Sequence, residues 1–302
     1  MQHKGKFRDV DGIILLDKPS GITSNSALQQ TRSIFRAIKA GHTGSLDPLA
    51  TGLLPICFGE ATKMSGYLLD AHKHYRATCK LGVTTNTGDS EGEVLATATI
   101  PELNYQDLTQ VLEGFIGKIM QVPPMYSAIS IDGQRLYKLA RAGKEVDRPA
   151  REVEIMKLQL VEQTADGFVV EVSCSKGTYI RTLLEDIGKE LGCGAHMTAL
   201  RRTGVSPFIN PEMVTIAQLD DERDAGKDLL VHLVPLDRAL NHLPALTLNA
   251  DQALKITQGQ QVKTEHEPDS GLSRLYRESG EFMGLGEYSG KLLKAKRLLR
   301  TN

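Results

Sequence analysis

Residues 40–60 hold the densest group of side chains able to take part in chemistry. His42, Asp47 and Thr51 stand among several glycines, and the segment follows neither helical nor strand periodicity. A loop with only a structural role has no need of this composition, whereas glycines let the backbone approach a ligand closely. Asp47 is therefore a candidate catalytic carboxylate. Because it precedes Pro48, it is also typical of a turn whose side chain accepts a local backbone hydrogen bond.

The common motifs for phosphate binding, acyl transfer and zinc catalysis are missing from the sequence. It contains no G-x-x-x-x-G-K-[ST], no G-x-S-x-G and no H-E-x-x-H. The four cysteines, which form no C-x-x-C pair, are Cys57, Cys79, Cys174 and Cys193. Neither a zinc site nor a disulfide framework is expected from this spacing. We predict reduced thiols and a reaction that uses no metal or cofactor.

Helices and strands must position the 40–60 segment, which we expect to be a structured loop. Apolar periodicity and turn residues predict strands at 12–16, 74–81, 153–161 and 168–175. Helices are predicted from a cap at Thr23 or Ser24 to near 41, and at 62–71, 108–116, 134–141 and 178–191. The acidic stretch 86–93 is expected to be an exposed loop. The pattern indicates an α+β fold with a mostly antiparallel central mixed sheet flanked by helices.

The length of 302 residues favours one large domain and one smaller one. Residues 206–250 are acidic and interrupted by prolines, so we predict domains at 1–245 and 246–302, leaving the fold of 206–245 open. Short strand-like pieces separated by glycines predict a small β-barrel-like module after the boundary. Its tail carries a basic cluster without an intervening acid: Lys291, Lys294, Lys296, Arg297 and Arg300. The cluster either contacts phosphates or forms a solvated face.

Charge and hydropathy limit the possible locations of the protein. The net charge is −1, from 36 basic and 37 acidic residues, which argues against a simple nucleic-acid coat. The longest apolar runs are far shorter than the ~20 residues that span a bilayer. The N-terminal residues show no apolar signal region. We therefore expect a cytoplasmic protein without a membrane association.

Taken whole, the segment Gly41-His-Thr-Gly-Ser-Leu-Asp-Pro-Leu-Ala-Thr-Gly52 resembles the catalytic motif of the bacterial tRNA pseudouridine-55 synthases, the TruB family. The resemblance extends in order over roughly 12–205. It includes Leu16-Asp-Lys-Pro-Ser-Gly21, Lys73-His-Tyr-Arg-Ala-Thr-Cys-Lys-Leu-Gly82, Val122-Pro-Pro-Met-Tyr-Ser-Ala128, Cys174-Ser-Lys-Gly-Thr-Tyr-Ile-Arg-Thr-Leu183 and Leu200-Arg-Arg-Thr-Gly204. Beyond 245 the chain is similar, more weakly, to a PUA-type RNA-binding module.

The resemblance implies the pseudouridine synthase fold and a cofactor-free isomerisation. Uridine 55 in the T-arm of tRNA would become pseudouridine by cleavage of its N-glycosidic bond, rotation of the base and rejoining through carbon. The expected partner is the tRNA T-arm stem-loop, with no membrane, no obligatory protein partner and a monomeric enzyme.

Asp47 matches the catalytic aspartate of the family, and Arg181 matches the arginine beside it. An ionised carboxylate can attack the ribose or the base, or assist glycal formation by proton transfer. A nearby guanidinium would orient Asp47 and lower its pKa by ~1–3 units. The alternative for Arg181 is an ordinary arginine on a helix surface.

Four further matches concern the flipped base, whose unstacking costs a few kcal/mol. Tyr75 matches the tyrosine that stacks on the base and later abstracts a proton, and Tyr179 matches a second base contact. His42 matches the histidine that fills the space left in the T-loop, and Leu200 lies in the motif that lines the pocket. A core aromatic, a backbone-bonded histidine and a core leucine are the alternatives for Tyr75, His42 and Leu200. Lys18 is an RNA-binding candidate that could equally hold the loop as part of a turn.

One departure and two rival functions stay open. The family usually has a lysine two residues after Pro-Pro-Met-Tyr-Ser-Ala, where this chain has Ser130, which puts a phosphate contact or loop tether in doubt. A tRNA-folding chaperone would use the same binding mode, but it need not retain Asp47, Tyr75 and Arg181. A guide-RNA-dependent catalytic subunit would require protein partners and usually has basic extensions.

Overall fold

The computed structural model describes residues 6–127, 129–131, 133–264 and 271–300. The helices are α1 (Ser24–Phe35), α2 (Ser65–Asp70), α3 (Tyr105–Glu113), α4 (Leu136–Arg141), α5 (Ile180–Glu190), α6 (Ile216–Asp224) and α7 (Ala250–Thr257). The strands are β1 (Gly12–Lys18), β2 (Ala40–His42), β3 (Thr51–Phe58), β4 (Lys73–Leu81), β5 (Val83–Thr85), β6 (Val94–Thr97), β7 (Gly117–Gln121), β8 (Ser130–Ile131), β9 (Gln134–Arg135), β10 (Arg151–Thr164), β11 (Gly167–Cys174), β12 (Ala195–Val205), β13 (Phe208–Ile209), β14 (Val214–Thr215), β15 (Ala245–Leu248), β16 (Val262–Lys263), β17 (Leu272–Arg277), β18 (Phe282–Ser289) and β19 (Leu292–Leu298). Within these described residues no helix is long and apolar enough to span a membrane.

A large mixed sheet forms the centre of the molecule. Its strands lie in the order β14-β1-β3-β12-β4-β11-β10-β7, with β13 added beside β12 and β2 beside β3. β1 pairs with β14 and β3 pairs with β12 in parallel, while the other pairs in this sheet are antiparallel. The predicted α+β class with a mostly antiparallel sheet is confirmed.

The 40–60 segment differs most from the prediction. Only its middle is a loop, because 51–58 forms the buried central strand β3. Its run Leu-Leu-Pro-Ile-Cys-Phe is covered on both sides, so it lacks the alternation that marks a strand with one solvated face. A buried strand and a hydrophobic loop cannot be separated by periodicity at this length.

Helix α1 begins as predicted and ends early. The Thr23 hydroxyl accepts a hydrogen bond from the Ser26 amide at 3.1 Å, which identifies Thr23 as the cap. Arg36 then adopts a left-handed conformation with φ of 52° and ends the helix at Phe35. Ile38, expected on the buried stripe, lies beyond the helix and is 51% exposed.

The two faces of β1 pack against different layers. Ile14 and Leu16 belong to a core shared with α1 and α6. Ile13 and Leu15 face the opposite side, where they share a core with residues of the 3-10 helix Gly59–Met64 and with Leu285 of β18. One central strand therefore anchors both the helical layer and the C-terminal part of the chain.

Residues beyond 245 form a second sheet in the order β15-β17-β18-β19-β16 within the described chain. This agrees with the expected small C-terminal β module. Leu285 is fully buried in the same core as Leu53 of β3, so the second sheet packs directly on the first domain. The segment 206–245, whose fold the sequence left open, contributes α6, capped reciprocally by Thr215 and Gln218. The division at 245 into separate domains stays a prediction.

The close approach of β3 to β12 gives a first testable prediction. Gly52 has φ of +97°, and a Cβ there would overlap the backbone carbonyl of Arg202. We expect Gly52→Ala to lose more free energy of unfolding in urea than the ~1–3 kcal/mol typical of a strained backbone conformation. Gly117→Ala is the control, because Gly117 has φ of +103° but nothing within 4 Å of its Cβ position. Equal losses in the two variants would show that the strand contact does not constrain Gly52.

Candidate active site

The loop that carries Asp47 connects β2 to β3 and is fixed from three directions. The Ser24 hydroxyl, at the start of α1, accepts from the Leu46 amide at 2.7 Å and donates to the Leu46 carbonyl at 3.0 Å. Arg202 donates to the Gly44 carbonyl at 3.0 Å. Lys18 donates to the Pro48 carbonyl at 3.3 Å. These bonds hold Asp47 in place at the edge of a cavity with 42% of its side chain exposed.

Arg181 contacts Asp47 from the first turn of α5. Its Nη2 lies 3.0 Å from Asp47 Oδ2 and its Nη1 lies 3.5 Å from Asp89 Oδ2. The same two nitrogens donate to the carbonyls of Tyr126 at 2.8 Å and Thr87 at 2.7 Å. Arg181 is only 4% exposed, so it is not the surface helix arginine of the alternative interpretation. A guanidinium held by four oxygens has one orientation, and it fixes that of the Asp47 carboxylate.

The expected lowering of the Asp47 pKa is wrong. Desolvation in the cleft raises the pKa of the Asp47 carboxyl above its ordinary value, although the Arg181 guanidinium pulls it down. The charge of Asp89 also raises it. Since one guanidinium serves two carboxylates, its stabilisation of each is divided, and the cost of burial prevails.

Tyr75, Tyr179 and Leu200 come together with Asp47 and Arg181 around one cavity of about 310 Å³. Tyr75 is half-buried on β4, Tyr179 immediately precedes α5, and Leu200 lies on β12. Burial raises the pKa of both phenols. Leu200 is also part of the main core, so the core and pocket interpretations are both correct for this residue. Aromatic and apolar side chains line the cavity together with the cations Lys73, Lys176 and Arg202, and the Asp47–Arg181 ion pair lies on its wall.

His42 lies on a neighbouring cavity of about 810 Å³, which shares Asp47 and Arg181 with the first. It does not line the cavity that holds Tyr75. Its buried Nδ1 has no hydrogen-bond partner among the described residues, unlike the backbone-bonded histidine of the alternative interpretation. Burial lowers the pKa of His42, and the charge of Arg202 lowers it further.

Lys18 is fully buried, which leaves no surface for the direct RNA contact that was the first expectation. Its ammonium donates to the carbonyls of Pro19 and Ile22 at 2.8 Å and to that of Pro48. Lys73 donates in the same way to three carbonyls at the end of α2. Burial lowers the pKa of each lysine to about 8. Three acceptors require all three N–H bonds of an ammonium, so both lysines are cations in this fold.

Asp89 and Arg202 belong to the site although the sequence assigned neither a role. Asp89 lies in the supposedly exposed loop 86–93 but is 4% exposed, and its Oδ1 accepts from the Thr87 hydroxyl at 2.6 Å. No local pattern marks it as buried. The sequence could have indicated that Arg202 lies at the site. It is two residues after Leu200 on the same strand, so both side chains lie on the same face of the sheet.

Three family models match the chain in sequence. The TruB family pseudouridylate synthase N-terminal domain matches 32–180, the tRNA pseudouridylate synthase B C-terminal domain matches 181–241, and the C-terminal model of pseudouridine synthase II TruB matches 244–299. The chain belongs to the TruB family. It is similar to tRNA pseudouridine synthase B of Methylobacillus flagellatus, with 50% identity over 99% of both chains. The corresponding protein of Stutzerimonas stutzeri is 51% identical, also over 99% of both chains.

Solved structures share the fold of this TruB-family chain. A chain in an H/ACA ribonucleoprotein bound to a substrate RNA with 2'-deoxyuridine has a TM-score of 0.73 at 24% identity, covering 96% of this chain and 85% of that chain. A chain in a Cbf5-Nop10-Gar1 complex has a TM-score of 0.72 at 25% identity, covering 95% and 84%. The pseudouridine synthase fold and the resemblance seen in the sequence are confirmed. The protein is a tRNA pseudouridine synthase, an isomerase, with a C-terminal sheet consistent with a PUA-like module.

The shared guanidinium predicts how Asp47 titrates. Replacing Arg181 by glutamine should raise the pKa of the Asp47 carboxyl by a further ~1–3 units, because the charge that favours its ionised form is lost. Carboxyl 13C NMR measures this, with the signal assigned from Asp47→Asn and folding checked by circular dichroism. Arg223→Gln is the control, since Arg223 pairs with Asp220 and Asp224 away from the site. An unchanged Asp47 pKa in folded Arg181→Gln would contradict the electrostatic coupling.

Proposed function

We propose that this enzyme isomerises uridine 55 in the T-arm of tRNA, with the base flipped into the cavity of Tyr75, Tyr179 and Leu200. The observation that supports this most directly is the juxtaposition of Asp47 with that cavity, where the loop is joined to α5 by the ion pair with Arg181. Two aromatic side chains and a leucine offer surfaces that offset the loss of base stacking.

The reaction requires one bond to break and one to form. The C1'–N1 bond breaks with Asp47 acting as nucleophile on ribose or base, or as the base that forms a glycal. After the base rotates, C5 bonds to C1', its proton leaves to Tyr75, and N1 takes a proton. Reactant and product are isomers, so no oxidant or co-reactant is needed. Arg181 keeps the orientation of the Asp47 carboxylate fixed throughout.

His42 and the larger cavity accommodate the T-loop around the flipped base. The Nδ1 of His42 is buried and has no hydrogen-bond partner among the described residues, so it can bond RNA in this space once the side chain rotates toward it. Arg135 and Arg141 line the same cavity and carry positive charge toward the RNA backbone. Ser130, at the position where the family usually has lysine, is exposed on β8 and supplies no such charge.

The enzyme acts as a monomer in the cytoplasm without an obligatory protein partner. Relatives about 50% identical over the full chain are named as tRNA enzymes, whereas the structural neighbours in H/ACA assemblies are at most 25% identical. Assistance to tRNA folding is compatible with the same cleft, because flipping and re-forming the T-loop requires binding but not the carboxylate.

A carboxylate variant separates chemistry from binding. Asp47→Asn should abolish turnover while tRNA affinity stays within about tenfold, because phosphate contacts dominate binding. Pseudouridine is mapped chemically on an unmodified tRNA transcript and on one with cytidine at position 55. Asp166→Asn is the control, since Asp166 is an exposed carboxylate paired with Lys80 and neither residue lines the two cavities. Residual turnover above a few per cent in Asp47→Asn, or modification elsewhere in the transcript, would contradict the proposal.

Four of the five residues in the basic C-terminal tail form two groups in the folded chain, while the backbone amide of the fifth, Arg300, donates to the Glu60 carboxylate at 2.6 Å. Lys294 and Lys296 lie 3.4 Å and 2.9 Å from the carboxylate of Glu287 on the neighbouring strand. Their charge is therefore partly neutralised. The sequence did not indicate this, because Glu287 lies outside the basic cluster and reaches it only through strand pairing. Lys291 and Arg297 are exposed and make no ion pair with a described residue. We propose that this second pair contacts tRNA phosphates and that residues 246–302 act as an RNA-binding module.

Salt dependence tests this division without truncating a sheet that packs on the core. The double variant Lys291→Gln with Arg297→Gln should reduce the slope of log affinity against log salt by roughly one unit per lost phosphate contact. Lys294→Gln with Lys296→Gln removes the same formal charge and should change the slope less. Binding is measured by fluorescence anisotropy at several KCl concentrations. Equal slopes for the parent and the first variant would contradict the proposal and indicate that the basic tail is only a solvent-exposed face.

A further inference from the structure

Arg202 is a deeply buried charge of the catalytic cavity to which the proposed chemistry gives no task. It is 1% exposed, and its guanidinium donates to the carbonyls of Leu53 at 2.7 Å, Gly44 at 3.0 Å and Ser45 at 3.5 Å. All three acceptors are backbone carbonyls. No carboxylate of the described residues lies within 4.0 Å of the Arg202 guanidinium. Buried charges in proteins are usually paired with an opposite charge.

The Tyr75 phenol is the group that Arg202 faces across the sheet. Arg202 on β12 stands directly opposite Tyr75 on β4 in their antiparallel pair. Both side chains line the 310 Å³ cavity, together with Asp47. The positive charge of the guanidinium acts on the phenol and lowers its pKa, against the larger opposite effect of burial. Cross-strand partners of this kind are held in register by the backbone ladder on either side.

We propose that Arg202 is a positioning residue that activates Tyr75, its guanidinium stabilising the phenolate that removes the C5 proton. The inference rests on the proposed function of Tyr75. The phenolate takes the proton from C5, and the electron pair of the C–H bond returns to the uracil ring. The phenol formed then gives its proton to solvent. Arg202 takes no part in bond making or breaking and only stabilises the Tyr75 phenolate.

Three groups on other elements act on the charge of the Tyr75 phenol. Burial raises its pKa most, and Cys174 from β11 and Asp47 from the loop raise it as well. Arg202 from β12 lowers it through its positive charge. Of the three, only Arg202 favours the phenolate, so the ability of Tyr75 to act as a base depends on this charge.

The same guanidinium also holds the Gly44 and Ser45 carbonyls just before Asp47. A loss of activity in an Arg202 variant could therefore come from the loop alone, and the test must read the ionisation of Tyr75. A displaced loop lowers the rate equally at all pH values, whereas a raised phenol pKa moves the rate profile to higher pH. The two roles are separable on this basis.

The experiment compares Arg202→Gln and Arg202→Lys with Arg201→Gln as a matched control. Arg201 is the adjacent residue on β12, pairs with Asp17 at 2.7 Å and does not line the Tyr75 cavity. Tyrosines are labelled with 13C at Cζ, and the Tyr75 signal is identified by its absence in Tyr75→Phe. In Arg202→Gln we expect the Tyr75 pKa to rise by about one unit or more, which is a tenfold change in the phenolate fraction. The single-turnover rate should fall at least tenfold near neutral pH and recover as the pH rises, while Arg202→Lys shows a smaller shift and the control shows none.

Two results would overturn the inference. If Tyr75→Phe is inactive but the Tyr75 pKa is the same in folded Arg202 variants, Arg202 only holds the loop and the proposed function stands. If Tyr75→Phe keeps the parent rate, the base role of Tyr75 fails and the inference fails with it. Should the Arg202 variants not fold, the guanidinium 15N shift of Arg202 in the parent enzyme replaces them. We expect the 15N chemical shift to change with pH as Tyr75 titrates, and to show no such change in Tyr75→Phe. A 15N shift that stays constant with pH in the parent enzyme overturns the inference.

Discussion

The guanidinium of Arg181 is the interaction on which the site depends. It joins four segments that are far apart in sequence: the start of α5, the Asp47 loop, the 86–93 loop and the backbone at Tyr126. Two carboxylates and two carbonyls around one buried cation leave it no alternative arrangement. Breaking a buried pair by removing one partner typically costs 3–5 kcal/mol, which means that the loops and the helix must fold as one unit.

Sharing that cation has a chemical consequence. Arg181 orients Asp47 and pulls its pKa down, but desolvation in the cleft and the charge of Asp89 outweigh this effect. A carboxylate that is costly to ionise is a stronger base and nucleophile than one stabilised in an isolated pair. The Asp47 carboxylate thus has a fixed orientation and keeps its basicity. An isolated salt bridge would also fix the orientation, but it would make the carboxylate a weaker base.

The chain as a whole is nearly neutral, yet the cleft around Asp47 contains an excess of buried cations. Lys18, Lys73, Arg181 and Arg202 are all buried in or beside it, against Asp47 and Asp89. Most of these cations are stabilised by carbonyl dipoles and remain uncompensated by a formal negative charge. A polyanion entering the cleft meets a field that the net charge of −1 does not reveal. Asp89 and Glu91 of the acidic stretch 86–93 also line the cleft, together with Arg135 and Arg141, so the local distribution of charge and not the overall composition decides what the cleft attracts.

The sequence by itself determined the α+β class, most of the strands and helices, the family resemblance and the candidates Asp47, Tyr75, Tyr179, Leu200 and Arg181. Those features are local or reside in contiguous motifs, where residue type and spacing carry the signal. It could not find β3, because a strand buried on both faces has no alternation. It could not place Asp89, or the Glu287 carboxylate beside Lys294, or the buried Lys18, because burial and ion pairing arise from residues distant in sequence. The tertiary structure alone decided which charges share a cavity and which cancel, since electrostatic energies depend on distances and solvent exposure that no linear pattern encodes.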